Sequence, residues 1–155
     1  MLQVGDRMPS FSLRNSNREE VTQDDFLGSV AVLAFYPMSF TGGCTREMQG
    51  FQQSYEDFQA LGVKIAGISS DTWATQGVFC EQHNLEFPVL SDWPKYATIA
   101  AFGVDRPDSP LARRVTFVFD ADGICRLVID EEREMDAHRD GALAIAKTLA
   151  AGAAS

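Results

Sequence analysis

The chain has 155 residues, of which 45% are hydrophobic and 23% charged, a composition that builds one globular domain and not a disordered segment. Its formal net charge of −9 argues against nucleic acid or an anionic membrane as a partner. No apolar run approaches the ~18 residues of a membrane-spanning helix, and the start, Met1 to Asp6, lacks the basic flank and apolar stretch of a secretory signal, so a cytoplasmic protein with a single domain over 1–155 is expected.

In chain order, residues 9–22 read as a small hairpin. Phe11 and Leu13 alternate with polar residues, Asn15-Ser16-Asn17 makes the turn, and Val21 lies on the return strand. Asp24 to Leu27 is a short helical turn ended by Gly28. Val30 to Tyr36 is the most apolar run. It is short, β-rich and bounded by Gly28 and Pro37, which predicts a strand buried on both faces. Cys44 to Leu61 follows as one helix, with Met48, Phe51, Tyr55, Phe58 and Leu61 on one face and Gly62 after its end.

Val63 to Ser69 is a second strand. Thr72 to His83 is a second helix, capped by Asp71 or Thr72 and weakened by Gly77. Phe87 to Leu90 is a short strand whose Pro88 suits an edge or a strand start. Ala97 to Phe102 is a short helix, and 106–113 is a loop. Val115 to Phe119 and Ile124 to Ile129 pair across the tight turn 120–123. Asp136 to Leu149 is the last helix, with Ala142, Ile145, Ala146 and Leu149 facing inward, and the Ala-rich tail beyond it is expected to fray. Strands alternating with helices, closed by a hairpin, give a layered α/β domain with a mixed sheet.

The chemistry centres on 37–47. Cys44 stands where a buried strand gives way to a helix. Free backbone N–H groups and the positive helix end converge there and favour an anion, hence a thiolate. Gly42 and Gly43 let backbone amides approach a ligand closely, and Thr41 is placed to donate its hydroxyl to the thiolate or a bound oxygen. A cation is needed where O–O cleavage leaves negative charge, and Arg113 and Arg114 stand just before a strand. A buried hydrophobe is the plain alternative for any free cysteine. The odd count of Cys44, Cys80 and Cys125 is poor for a disulfide framework. No Cys/His group has metal spacing, so neither metal nor cofactor is expected. His83 and His138 are given surface roles, and Trp73 and Trp93 packing or interface roles.

Pro37, Thr41 and Cys44 fit the pattern P-x-x-x-[TS]-x-x-C. Met8 to Leu13, Phe87 to Asp92 and Arg114 to Asp120 add three more segments in the right order. With these the chain resembles the peroxiredoxins, specifically the alkyl hydroperoxide reductase E and Q-type (bacterioferritin-comigratory) groups. The resemblance implies a thioredoxin-like fold. It also implies a thiol peroxidase acting on hydrogen peroxide or organic hydroperoxides, with an external thiol (thioredoxin, glutaredoxin or a low-molecular-weight thiol) as reductant, in a monomer or homodimer. It makes Cys44 the peroxide nucleophile and selects Arg114 over Arg113. It also gives Thr41, Gly43 and Arg114 the substrate and Pro37 a shielding role, while Glu47 either orients an arginine or is a plain solvated carboxylate in the first helical turn.

Gln49 occupies the position where many Q-type members place a resolving cysteine. Phe79-Cys80 resembles the alternative placement in the next helix, which makes Cys80 the candidate resolving thiol through a disulfide with Cys44. The alternatives are resolution by an external thiol, as in one-cysteine members, or a peroxide sensor or holdase without turnover. A thioredoxin-like disulfide oxidoreductase is disfavoured, since no C-x-x-C is present. Cys125 is expected to be structural. Loops around Phe40, Trp73 and Trp93 are candidate dimer contacts.

Overall fold

The computed structural model describes residues 1–153. Strand β3 (Ala31–Phe35) is its spine, and every residue in it is fully buried. It pairs in parallel with β4 (Lys64–Ser69) and antiparallel with β6 (Val115–Phe119). β4 continues in parallel to β5 (Val89–Ser91), β5 meets the hairpin of β1 (Ser12–Arg14) and β2 (Glu20–Thr22), and β7 (Cys125–Asp130) closes the other edge. The strand order is β2-β1-β5-β4-β3-β6-β7. This is the expected mixed sheet. Pro88 precedes β5 and marks a strand start, because β5 is interior to the sheet.

Alternation along β3 builds two cores. Ala31, Leu33 and Phe35 face a layer with Phe11, Ile99, Phe102 and Phe117, which includes the short helix α4 (Ala97–Ala101). Val32, Ala34 and Tyr36 face the other layer, with Met48, Phe51, Phe58, Phe79 and Ala142. That second layer contains α1 (Gly42–Gln53), α2 (Tyr55–Ala60), α3 (Trp73–His83) and α5 (Met135–Ala153). Each fully buried Phe or Leu contributes about 1.5–3 kcal/mol relative to exposure. Two apolar faces on one sheet therefore hold the layers together without a disulfide.

Three sequence expectations are corrected. The helix expected over 44–61 is broken at Ser54 into α1 and α2. Phe51 and Phe58 are both fully buried on the same side, so the apolar spacing bridges the break and hides it. The first helix also begins two residues early, which puts Cys44 at its third position. The last helix starts at Met135 and runs on through the Ala-rich tail to Ala153.

Candidate active site

The site is built where β3 ends. After Phe35 the chain turns through a loop in which Phe40 adopts φ +67°, a left-handed conformation that costs an ordinary side chain energy. The loop is anchored from below. Ser39 donates its backbone N–H to Asp71 at 2.8 Å, and its hydroxyl meets Gln76 Oε1 at 2.6 Å and Tyr36 Oη at 2.8 Å. The Phe40 ring meets the Phe79 ring edge-on at 5.3 Å. Thr41 is the N-cap of α1, and the first helical bond runs from Thr45 N to Thr41 O at 2.9 Å. The amides of Gly42, Gly43 and Cys44 precede that bond and have no acceptor in the α-helical ladder.

Cys44 Sγ is only 1% exposed at the residue level. Arg114, at the entrance to β6, donates from Nη2 to Sγ at 3.4 Å and from Nη1 to Glu47 Oε1 at 2.6 Å. One guanidinium thus bridges a sulfur and a carboxylate three residues apart on one helix. Glu47 and Arg114 are both buried, so the pair is shielded from solvent in a way that surface pairs are not. The neighbouring Arg113 points away and pairs with Asp130 at 2.7 Å, half-exposed. Arg114 itself is held at a second point, where its backbone N–H donates to Glu132 Oε1 at 3.2 Å.

The start of α1 is close-packed at Gly43, against the flexible end of Met135 and the guanidinium of Arg114. A Cβ built there would lie 2.8 Å from Met135 Cε and 3.3 Å from Arg114 Nη2. Pro37 follows β3 and is half-buried beside the loop. Thr41 does not reach the sulfur. Its hydroxyl donates to Met38 O at 2.8 Å, so only its oxygen lone pairs remain for a ligand. Cys80 sits on α3 in the same apolar layer as Cys44, half-buried, and all three cysteines are free thiols. Burial pushes the Cys80 thiol up, against a backbone contact with Val89 that pulls it down. Cys125 is fully buried, points at Leu127 O, and is pushed by burial to about 11, as a structural cysteine would be.

The surface role expected for His138 is overturned. Its ring is fully buried, with Nδ1 2.7 Å from Thr116 Oγ1, Nε2 2.7 Å from Glu131 O, and Nδ1 3.8 Å from Glu47 Oε2. The signal was present in the helix period: Met135, His138, Ala142, Ala146 and Leu149 fall on one face. The other histidine, His83, is half-exposed. It packs edge-on against Phe79 at 5.1 Å and contacts Gln49 at 3.3 Å, so it belongs to the contact between α1 and α3. Trp73 carries the Arg18 guanidinium over its ring at 4.8 Å, and Trp93 is half-exposed.

Residues 4–128 match the sequence profile of the AhpC/TSA family. Among curated relatives, alkyl hydroperoxide reductase E of Mycobacterium bovis is 36% identical, with 81% of this chain and 84% of the relative covered. Among solved structures, peroxidoxin BcpB from Mycobacterium tuberculosis superimposes with a TM-score of 0.90 at 33% identity, covering 96% of this chain and 99% of that one. Two serine mutants of Xanthomonas campestris peroxiredoxin Q superimpose at 0.83 and 0.82 with 27% identity, covering about nine-tenths of each chain.

Proposed function

The chain belongs to the AhpC/TSA family, and on that premise we propose that Cys44 is its peroxide-reducing nucleophile, with Arg114, Gly43 and Thr41 as the substrate site. The chain is a thiol peroxidase, an oxidoreductase that takes peroxide as acceptor, with a thiol as reductant. The observation that carries the assignment of residues is the Arg114 bridge, 3.4 Å from Cys44 Sγ and 2.6 Å from Glu47.

In the proposed reaction the Cys44 thiolate attacks one peroxide oxygen. The S–O bond forms as the O–O bond breaks, sulfur becomes a sulfenic acid, and the leaving hydroxide or alkoxide takes up a proton. Arg114 Nη2 supplies positive charge beside both the sulfur and the departing oxygen, and the free amides of Gly43 and Cys44 add donors from the helix end. Thr41 Oγ1 accepts a hydrogen bond from a peroxide O–H while its own proton stays on Met38 O. Pro37 shields the sulfur. The name of the Mycobacterium bovis relative points to organic hydroperoxides among the substrates, beside hydrogen peroxide.

For recovery we propose that Cys80 attacks the Cys44 sulfenic acid, releasing water and closing a disulfide. The mutated cysteines of the two Xanthomonas campestris structures have the same sequence separation as Cys44 and Cys80. The contacts of Phe40 with Phe79 and of Gln49 with His83 support this reading, since they bring α3 beside the loop before α1 and the middle of α1. Because the two cysteines lie on separate helices, the first turn of α1 must open for the bond to form. Thioredoxin, glutaredoxin or a low-molecular-weight thiol then reduces the disulfide. A second reading, direct attack by an external thiol, is favoured by the upward push on the Cys80 thiol, which depletes its thiolate.

Peroxide consumption in the presence of dithiol reductant tests the first claim. Cys44→Ser is expected to abolish it, and unchanged consumption would falsify the assignment. Non-reducing mass spectrometry after one equivalent of peroxide separates the two recovery routes. Loss of two hydrogens with a Cys44–Cys80 crosslink is expected, whereas a persistent sulfenic acid that only an added thiol removes sinks the Cys80 route.

A further inference from the structure

Arg114 is shared. The Cys44 sulfur and the Glu47 carboxylate draw on the same guanidinium, so negative charge on Glu47 offsets the positive charge available to Cys44. Glu47 is 1% exposed, and its Oε2 has no hydrogen-bond partner among the described residues. A buried carboxylate oxygen without a donor is costly, and the group facing it is His138 Nδ1 at 3.8 Å. His138 Nε2 lies 2.7 Å from the Glu131 carbonyl, which can only accept, so Nε2 carries the ring proton. Nδ1 then presents a lone pair, which accepts from the Thr116 hydroxyl at 2.7 Å. Toward Glu47, which lies beyond hydrogen-bond distance, the partial negative charge on Nδ1 repels a carboxylate and so favours the neutral acid.

We propose that His138 is a positioning residue that keeps the catalytic site's Glu47 protonated at Oε2, so that Arg114 keeps its charge for the Cys44 thiolate. This rests on the peroxidase reading of the site and adds a control on it. Glu47 Oε1 accepts from Arg114 in either state, so the geometry of the clamp survives while its charge changes. The other charged groups at hand are Arg114 from β6, Glu132 and Glu131 from the segment before α5, and Cys44 one turn earlier on α1. Glu132 repels a Glu47 carboxylate, and Arg114 favours it. Burial wins and pushes the Glu47 carboxyl up to about 7, while burial holds His138 below the ordinary imidazole value. A neutral His138 beside a neutral Glu47 is therefore the state just below pH 7, and the carboxylate grows in above it.

The consequence is a peroxide reaction that slows as pH rises through the Glu47 titration, superimposed on the rise from thiol ionisation. The test is the second-order rate constant for hydrogen peroxide with fully reduced protein in single turnover, from about pH 5 to 9. The wild-type profile is expected to carry a descending limb. Glu47→Gln should remove the limb. His138→Phe, which keeps the ring and deletes the lone pair, should move it down by about half a pH unit or more. Thr116→Val leaves the Nδ1 lone pair to Glu47 alone and should move the limb up, which keeps the test available if His138→Phe does not fold. A wild-type profile with a single ionisation, a limb that survives Glu47→Gln, or a limb unmoved by the His138 and Thr116 variants overturns the proposal. Failure of Cys44 to react with peroxide at any pH would instead remove the peroxidase reading itself.

Discussion

At the residue scale, the Arg114 clamp depends on shape as well as charge. A planar guanidinium reaches Sγ and a carboxylate together, and an ammonium cannot. Arg114→Lys is therefore expected to slow the single-turnover peroxide reaction on the order of 10²-fold, read by stopped-flow fluorescence, and a loss of only two- or three-fold would contradict a role for the fork. Glu47 carries a stability prediction. Its carboxyl rises from an ordinary 4.5 to about 7 through burial, so the folded state keeps a proton that the unfolded chain has already lost. That stability is complete below the unfolded value and is lost as pH rises through the folded one. The melting temperature of the wild type is expected to fall relative to Glu47→Gln between about pH 4.5 and 7 and then run parallel to it; a constant difference would contradict the shift. The segments of Cys44 and Arg114 were recognisable in sequence because they are short and contiguous, although the choice of Arg114 over Arg113 came from the family resemblance, and the fold brings the two side chains together. His138 was not recognisable, since its partner groups, Thr116, Glu131 and Glu47, come from three separate segments that only the fold brings together.

At the scale of elements, α1 places its sulfur by starting early and close. Gly43 lets Met135 and Arg114 approach the helix start, and a methyl group there would press on both. Gly43→Ala is expected to displace the guanidinium and slow Cys44 oxidation roughly ten-fold or more, and adding Met135→Ala should recover part of the loss. Equal rates for Gly43→Ala and wild type would show that the crowding has no consequence. The strands and most helices were readable, because the period of apolar residues changes cleanly between them. The break at Ser54 was not, because Phe51 and Phe58 stay on one face across it. Phe79 is the joint between α3 and the active-site loop, fully buried against Tyr36, Phe40 and His83. Phe79→Ala is expected to cost about 3–5 kcal/mol in denaturant unfolding, and a cost under about 1 kcal/mol would mean that the joint bears little packing.

At the scale of the whole molecule, one sheet holds two apolar layers, and the Cys44 sulfur lies just beyond the end of the strand they share. β3 delivers the loop, β6 delivers Arg114, and α5 closes over both, with His138 and Met135 on its inner face. The mixed sheet and its alternating order were legible from the run of elements. The closing contact of α5 with α1 was not, because it joins segments about 90 residues apart that only the completed sheet brings together. Whether the assembly exists to present Cys44 to peroxide is tested most directly by one experiment. Fully reduced protein is given one equivalent of hydrogen peroxide, quenched within the first turnover, and mapped by peptide mass spectrometry. The first oxygen is expected on Cys44, ahead of Cys80 and Cys125. First oxidation at Cys80 or Cys125, or none at any of the three, would contradict it.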